Sequence, residues 1–364
     1  MRTLNGSCRV GFLVVVLVLP WSAGGGCGSG KEATDAGLVE DGAGRSETGE
    51  GPDGTEADAS GAEGRMDLHV PDGGPSDAAA DSAVIHLPES PVVPVLLSDS
   101  LPAAVEGLAF DGKGSLFLGG VDGKVYRMDA AGNVEAYVDL LPVEEGVLAG
   151  TAGLAHGPDG ALYVCRYSAN RVERVLLGDS PEVEVFLDGI VAPNTLLFDS
   201  EGSLWFTSSG SQTDGEPGYV GRLDAEGHPE VVVPDVVYAN GLAFSPDGAV
   251  LYFTSTDPGS LLKAELDDQG APGPVEVVCD SKDLAVADGL AVSPDGTVFV
   301  AGFGTGTLYA WTGNDLVGVA KDPSGLGIVG IASLAWGQGE GFSPTALYVT
   351  NLVKPVLAVV ELGL

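Results

Sequence analysis

Four oxygen-bearing side chains recur at one position of a repeated motif. Glu106, Asn194, Asn240 and Asp288 each begin a short apolar run, and the two other copies of the motif carry Ala152 and Ala332 there. Two carboxylates and two amide carbonyls make an oxygen-only donor set whose negative charges balance those of a hard divalent cation. Ca²⁺ fits such a set, with water filling its other positions. The set works only if a fold brings one end of each motif to a common point. His156 stands in the second copy where Phe110 stands in the first, and serves either as a proton shuttle or as a hydrogen-bonded core histidine. His69, His86 and His228 lie in acidic or Gly-rich stretches, so no zinc constellation is visible.

The motifs themselves name the fold that could gather these residues. They read EGLAFDGKGSLFL from Glu106, AGLAHGPDGALYV from Ala152, NTLLFDSEGSLWF from Asn194, NGLAFSPDGAVLYF from Asn240, DGLAVSPDGTVFV from Asp288 and ASLAWGQGEGFSPTALYV from Ala332. Successive copies start 42 to 48 residues apart, the period of a four-stranded propeller blade. Within each copy an apolar strand runs into a turn such as Ser-Pro-Asp-Gly and a second strand follows. Lys124 to Met128 and Val134 to Val138 show the weaker alternation of a third and a fourth strand. The expectation is an all-β, six-bladed β-propeller, with the residues that open the innermost strands facing one end of its channel. The last copy ends after its third strand, and the run Pro91 to Leu97 is expected to supply the missing outer strand and close the ring. Trp205, Phe206, Trp311 and Trp336 fall on blade strands, where packing between sheets accounts for them.

Ahead of the repeats the composition changes. Arg2 and Arg9 precede an apolar run from Val10 to Leu19, too short for a permanent membrane helix and typical of a signal peptide. Ser22-Ala23-Gly24-Gly25-Gly26-Cys27 resembles a bacterial lipoprotein processing site, with Cys27 as the lipidated residue. Gly24 stands where such sites carry an aliphatic residue, so ordinary signal-peptidase cleavage is the alternative. The segments expected are a signal peptide over 1–27, an acidic Gly/Ala/Asp/Glu-rich disordered tether over 28–88 and the propeller over 89–364. Fifty-two acidic against 16 basic residues give a formal net charge of −36, which excludes a nucleic-acid partner. The protein is expected to be a monomer acting outside the cytoplasm, touching a membrane only through a lipid anchor. Cys165 and Cys279 fall in different repeats and are expected to be free thiols. Gly302-Phe303-Gly304-Thr305-Gly306 leads into a strand, without the helix a dinucleotide fingerprint requires.

EGLAFDGKGSLFL, ANGLAFSPDGAVLYFT and ADGLAVSPDGTVFVA resemble the first, fourth and fifth blade motifs of the senescence-marker-protein/gluconolactonase (regucalcin-like) family, and the drug-responsive lactonases share that architecture. The resemblance places Glu106, Asn194, Asn240 and Asp288 on the family's metal-site positions and Asp288 on its proposed catalytic carboxylate. It implies a calcium-dependent hydrolase of small lactones or related esters. In sugar-lactone members the third blade commonly reads Arg-x-Asn-Asp; here it is Ala192-Pro193-Asn194-Thr195, which keeps the metal-site Asn and loses the Arg that would bind substrate oxygens. Two other readings stay open: a non-catalytic binding propeller with a structural cation, and a strictosidine-synthase-like propeller with other chemistry.

Overall fold

A computed structural model of the protein describes residues 86–211, 215–324 and 328–362. Cys27 and nearly all of the expected tether lie outside the described residues. The rest forms six antiparallel sheets of four strands. Blade 1 consists of β2 (Val105–Phe110), β3 (Leu116–Gly120), β4 (Lys124–Met128) and β5 (Val134–Asp139). Blade 2 is β6 (Leu154–His156), β7 (Leu162–Arg166), β8 (Arg171–Leu176) and β9 (Glu182–Asp188). Blade 3 is β10 (Pro193–Phe198), β11 (Leu204–Ser208), β12 (Gly218–Leu223) and β13 (Pro229–Val236). Blade 4 is β14 (Ala239–Phe244), β15 (Val250–Ser255), β16 (Ser260–Glu265) and β17 (Glu276–Asp280), and blade 5 is β18 (Ala287–Val292), β19 (Val298–Gly302), β20 (Thr307–Trp311) and β21 (Leu316–Lys321). Blade 6 joins β22 (Ile331–Trp336), β23 (Ala346–Asn351) and β24 (Leu357–Glu361) to β1 (Val95–Ser98).

The apolar core is distributed as six wedges, one at each blade junction, because each sheet buries both faces against its neighbours. Aromatic rings cross these junctions edge to face, as in Trp205 on Phe244 (centroids 5.5 Å apart) and Phe299 on Trp336 (5.5 Å). In the first hairpin of blades 1 to 5 an Asp closes the turn: Asp111 Oδ1, for example, accepts the N–H groups of Lys113 (2.8 Å) and Ser115 (2.9 Å). Cys165 is buried, Cys279 is partly buried, and both are free thiols, as expected.

The ring closes as the sequence implies, with a shift in detail. The strand paired to β24 begins at Val95, not Pro91, in the register Val95 to Val359 and Leu96 to Ala358. The residues before it reach the neighbouring blade instead: Val92 N–H donates to Val319 O (2.9 Å) and Lys321 N–H donates to Val92 O (2.9 Å). One segment therefore ties blade 5 to blade 6 and covers the β24 edge. Truncation to residue 84 is expected to leave the melting temperature unchanged, whereas truncation to residue 99 should lower it by several degrees by exposing that edge and the β21 carbonyls. Differential scanning calorimetry of the two shortened chains checks this.

Candidate metal centre

Each innermost strand except β6 carries a β-bulge at its first residues. Val105 pairs with Gly120 and Leu108 with Leu118, so one extra residue stands on β2, and the same shift falls between Pro193 and Leu196, Ala239 and Leu242, Ala287 and Leu290, and Ile331 and Leu334. A bulge re-aims the side chain it contains. The residues inside these bulges are Glu106, Asn194, Asn240, Asp288 and Ala332, so the expected site residues are the ones the bulges redirect. The Gly that follows in four motifs has a packing cause. A Cβ at Gly241 would lie 2.7 Å from Asp288 O and one at Gly289 2.7 Å from Ala332 O; at Gly107 and Gly153 it would overlap the carbonyl oxygens of Ala152 and Asn194. Adjacent inner strands approach too closely there for a side chain.

Asn194, Asn240 and Asp288 are 5%, 5% and 7% exposed, and Glu106 is half-buried at the same end of the channel. The carboxyls of Glu106 and Asp288 are both held well above the usual carboxylate range, by burial first and, for Glu106, by the charge of Asp288. The Asn240 side chain and the Gly289 N–H hydrogen-bond Asp288 and offset part of that rise. The two carboxyls thus share one desolvated space.

Both amides have a fixed orientation. Ser209 Oγ donates to Ala239 O (2.8 Å), so only its lone pairs face Asn194, which donates Nδ2 to it (3.2 Å). Thr256 Oγ1 donates to Ala287 O (2.7 Å) and accepts Asn240 Nδ2 (3.1 Å) in the same way. This leaves each Oδ1 as the outward end of its amide, and Asn240 Oδ1 is buried with no hydrogen-bond partner. A buried carbonyl oxygen without a donor is costly unless something electropositive meets it. Beside two carboxylates, that oxygen is what a hard-cation site requires, and the residues present fit Ca²⁺ in type and charge. No cluster of three or more His, Cys, Asp or Glu exists among the described residues.

A second set of residues positions the backbone of the site. Thr207 Oγ1 accepts Thr195 N–H (2.9 Å) and donates to Asn240 O (2.6 Å). Thr254 Oγ1 accepts Gly241 N–H (2.8 Å) and donates to Asp288 O (2.6 Å). Thr350 Oγ1 accepts Ser333 N–H (2.9 Å) and donates to Glu106 O. Each buried hydroxyl therefore satisfies the bulge of one blade and fixes the candidate ligand of the next. Thr254→Val, equal in size, would leave Gly241 N–H and Asp288 O unpaired and is expected to lower stability by roughly 2 kcal/mol in urea denaturation. Thr254→Ser should recover most of it.

His156 lies at the far end of β6, beside Asp111 and away from the four residues; burial lowers its pKa. The proton-shuttle reading is not supported there. Sequence reading missed Arg166, which is 1% exposed at the site end of β7. Its Nη1 donates to Glu173 Oε1 (2.8 Å) and Leu141 O (3.1 Å), and its Nη2 donates to Ala149 O (2.9 Å).

Two desolvated carboxyls and two oriented amides thus sit together in the bulges at one end of a six-bladed propeller. The chain belongs to the SMP-30/Gluconolactonase/LRE-like family, whose model matches residues 121–350, a span that holds Asn194, Asn240 and Asp288 and begins after Glu106. The chain is similar to 6-deoxy-6-sulfogluconolactonase of Pseudomonas putida, 39% identical over 75 residues that cover 21% of this chain and 26% of the relative. It is similar to pentonolactonase XacC of Haloferax volcanii, 29% identical over 147 residues (40% and 47%), and to lactonase drp35 of Staphylococcus epidermidis, 26% identical over 174 residues (46% and 52%). The matches span about half, or less, of these relatives' length. Among solved structures, the calcium-binding protein regucalcin of Agrobacterium tumefaciens superposes with a TM-score of 0.60 at 18% identity, over 75% of this chain and 95% of that one. The gluconolactonase of Xanthomonas campestris gives 0.58 at 22%, over 74% and 89%.

Proposed function

We propose that the protein is a calcium-dependent hydrolase of lactones or related esters, with Glu106, Asn194, Asn240 and Asp288 holding the ion. The observation that carries this reading is the buried, donorless Asn240 Oδ1 beside two carboxyls that burial makes costly to ionise. The names of the curated relatives, all lactonases, supply the substrate class. Bound Ca²⁺ would polarise a lactone carbonyl and stabilise the charge that develops on its oxygen.

The chain's own residues do the rest. Asp288 keeps one carboxylate oxygen for a water molecule and takes its proton as the water oxygen attacks the carbonyl carbon. The ring C–O bond then breaks, and the leaving oxygen receives the proton from Asp288. Thr254, through Asp288 O, and Asn240, through the carboxyl, hold this base in place. The signal-like run from Val10 to Leu19 and Cys27 support action outside the cytoplasm by a protein tethered through lipid.

Calcium titration by calorimetry and turnover of a lactone panel, with and without chelator, test the proposal. Submillimolar Ca²⁺ binding and chelator-sensitive turnover are expected. Ca²⁺ binding without turnover would favour a binding propeller, a reading that Ala192 in place of the sugar-lactone Arg also fits. Absence of cation binding would remove the site.

A further inference from the structure

The ring of residues directly above the four candidate ligands has a chemistry of its own. Counting two residues back from the site position in each blade gives Ala104, Gly150, Ala192, Tyr238, Val286 and Gly330. In blades 3 to 6 these residues share one backbone conformation, with φ of 44° at Ala192, 51° at Tyr238, 57° at Val286 and 80° at Gly330. A left-handed conformation is strained for an aromatic and more so for a β-branched residue, and persists only where the surroundings impose it. Here they do. Ser208 Oγ donates to Val191 O (2.5 Å), Ser255 Oγ to Val237 O (2.5 Å) and Asn351 Nδ2 to Val329 O (2.7 Å), so the carbonyl just before three of these positions is pinned by a buried side chain.

The surface presented by that ring is apolar. Val286 is 43% exposed, the Val353 side chain lies against Gly330, and Val121 and Val353, which flank the two glycines, are 36% and 44% exposed. Ala192 is buried, with its N–H given to Asn170 Oδ1 (3.0 Å). The single hydrogen-bonding side chain in the ring is Tyr238, whose hydroxyl meets that of Tyr167 at 3.3 Å.

We infer that the site takes lactones or esters bearing aliphatic or aromatic substituents and discriminates against polyhydroxylated ones, a specificity that rests on the hydrolase reading above. Hydroxyl groups entering such a ring lose water and find one phenol between them, whereas each methylene gains contact.

The test compares a pentyl-substituted δ-lactone with glucono-δ-lactone on the Ca²⁺-loaded full chain, and measures binding of the corresponding lactams, which resist hydrolysis, by calorimetry. A kcat/KM at least about 100-fold higher for the pentyl lactone, with the same order of lactam binding, is expected. Val286→Asn suits the left-handed backbone, so it should fold normally, and its added amide should cut the pentyl preference about tenfold. Preference for the polyol in the wild type would overturn the inference alone, and so would a Val286→Asn preference equal to wild type. Turnover of neither lactone, with the pentyl lactam still bound more tightly, would overturn the hydrolase reading and keep this one. No turnover and no lactam binding would overturn both.

Discussion

Asp288→Asn is expected to lower lactone hydrolysis by at least about a hundredfold while the chain stays folded and still binds Ca²⁺, more weakly. The substitution keeps an oxygen ligand at the same place and removes the carboxylate that the proposed mechanism uses as base. Its backbone is held independently of the side chain, by Thr254 at its carbonyl and by the close approach of Gly241. Glu106→Gln should act differently. It removes charge from the ion without removing the base, so it is expected to weaken Ca²⁺ binding most and to be partly rescued by excess Ca²⁺. Equal losses in both variants at saturating Ca²⁺ would show that Asp288 has no role beyond ligation.

The same pair of carboxyls sets the behaviour of the chelated protein with pH. Burial pushes the Asp288 carboxyl up to about 8 in the folded chain and raises Glu106 as well, above an unfolded carboxylate range near 4. The folded state therefore keeps protons that the unfolded state has lost. The associated stability is complete below the unfolded pKa and is lost as pH rises through the folded one. Between about pH 5 and 8 the chelated protein should become steadily less stable in urea as pH rises, and Ca²⁺ should remove most of that slope.

How much of this was legible in the sequence depended on periodicity. The Gly-Leu motif repeats in chain order, so the blades, the inner strands and the four candidate ligands could be aligned from spacing alone. The hydroxyl residues that hold the site also repeat, as LWFTSS, LYFTST and LYVTN against LFLGG, LYVCR and VFVAG, but their meaning depends on the neighbouring blade. Thr254 is bonded to Asp288 O, 34 residues on, and Thr350 to Glu106 O, 244 residues back. No local pattern encodes contacts of that range. The left-handed ring was hidden for a related reason: Val286 and Tyr238 do not announce a positive φ as Gly does, and at Tyr238 it goes with a carbonyl held by Ser255 from the adjacent strand. Arg166 gave no signal because an Arg at a strand end ordinarily reads as solvated.

Arg166 leads to the largest stability effect expected. Its guanidinium and the Glu173 carboxylate are 1% and 0% exposed, and Arg171 adds a second cation at 2.7 Å from Glu173. The three residues hold the loop between β5 and β6: Glu173 Oε2 accepts Leu141 N–H (3.1 Å), Arg166 reaches Leu141 O and Ala149 O, and Arg171 donates to Pro142 O (3.0 Å). A buried pair adds little net stability when whole, since desolvation offsets its attraction, but breaking it strands a charge. Glu173→Ala would leave Arg166 buried against carbonyls alone and Leu141 N–H without an acceptor, so a loss of about 3–5 kcal/mol in urea denaturation is expected. Arg166→Met combined with Glu173→Leu should recover much of it, because the fully buried guanidinium is gone and the remaining cation, Arg171, is 17% exposed and still donates to Leu141 O and Pro142 O. The double variant would still lack the bond to Ala149, which precedes Gly150 in the ring above the site. Its stability and its function should therefore separate: near-normal melting, but a raised KM for lactones from a loosened mouth. A Glu173→Ala loss below about 1 kcal/mol would mean that water reaches Arg166 and that the loop is held by other contacts.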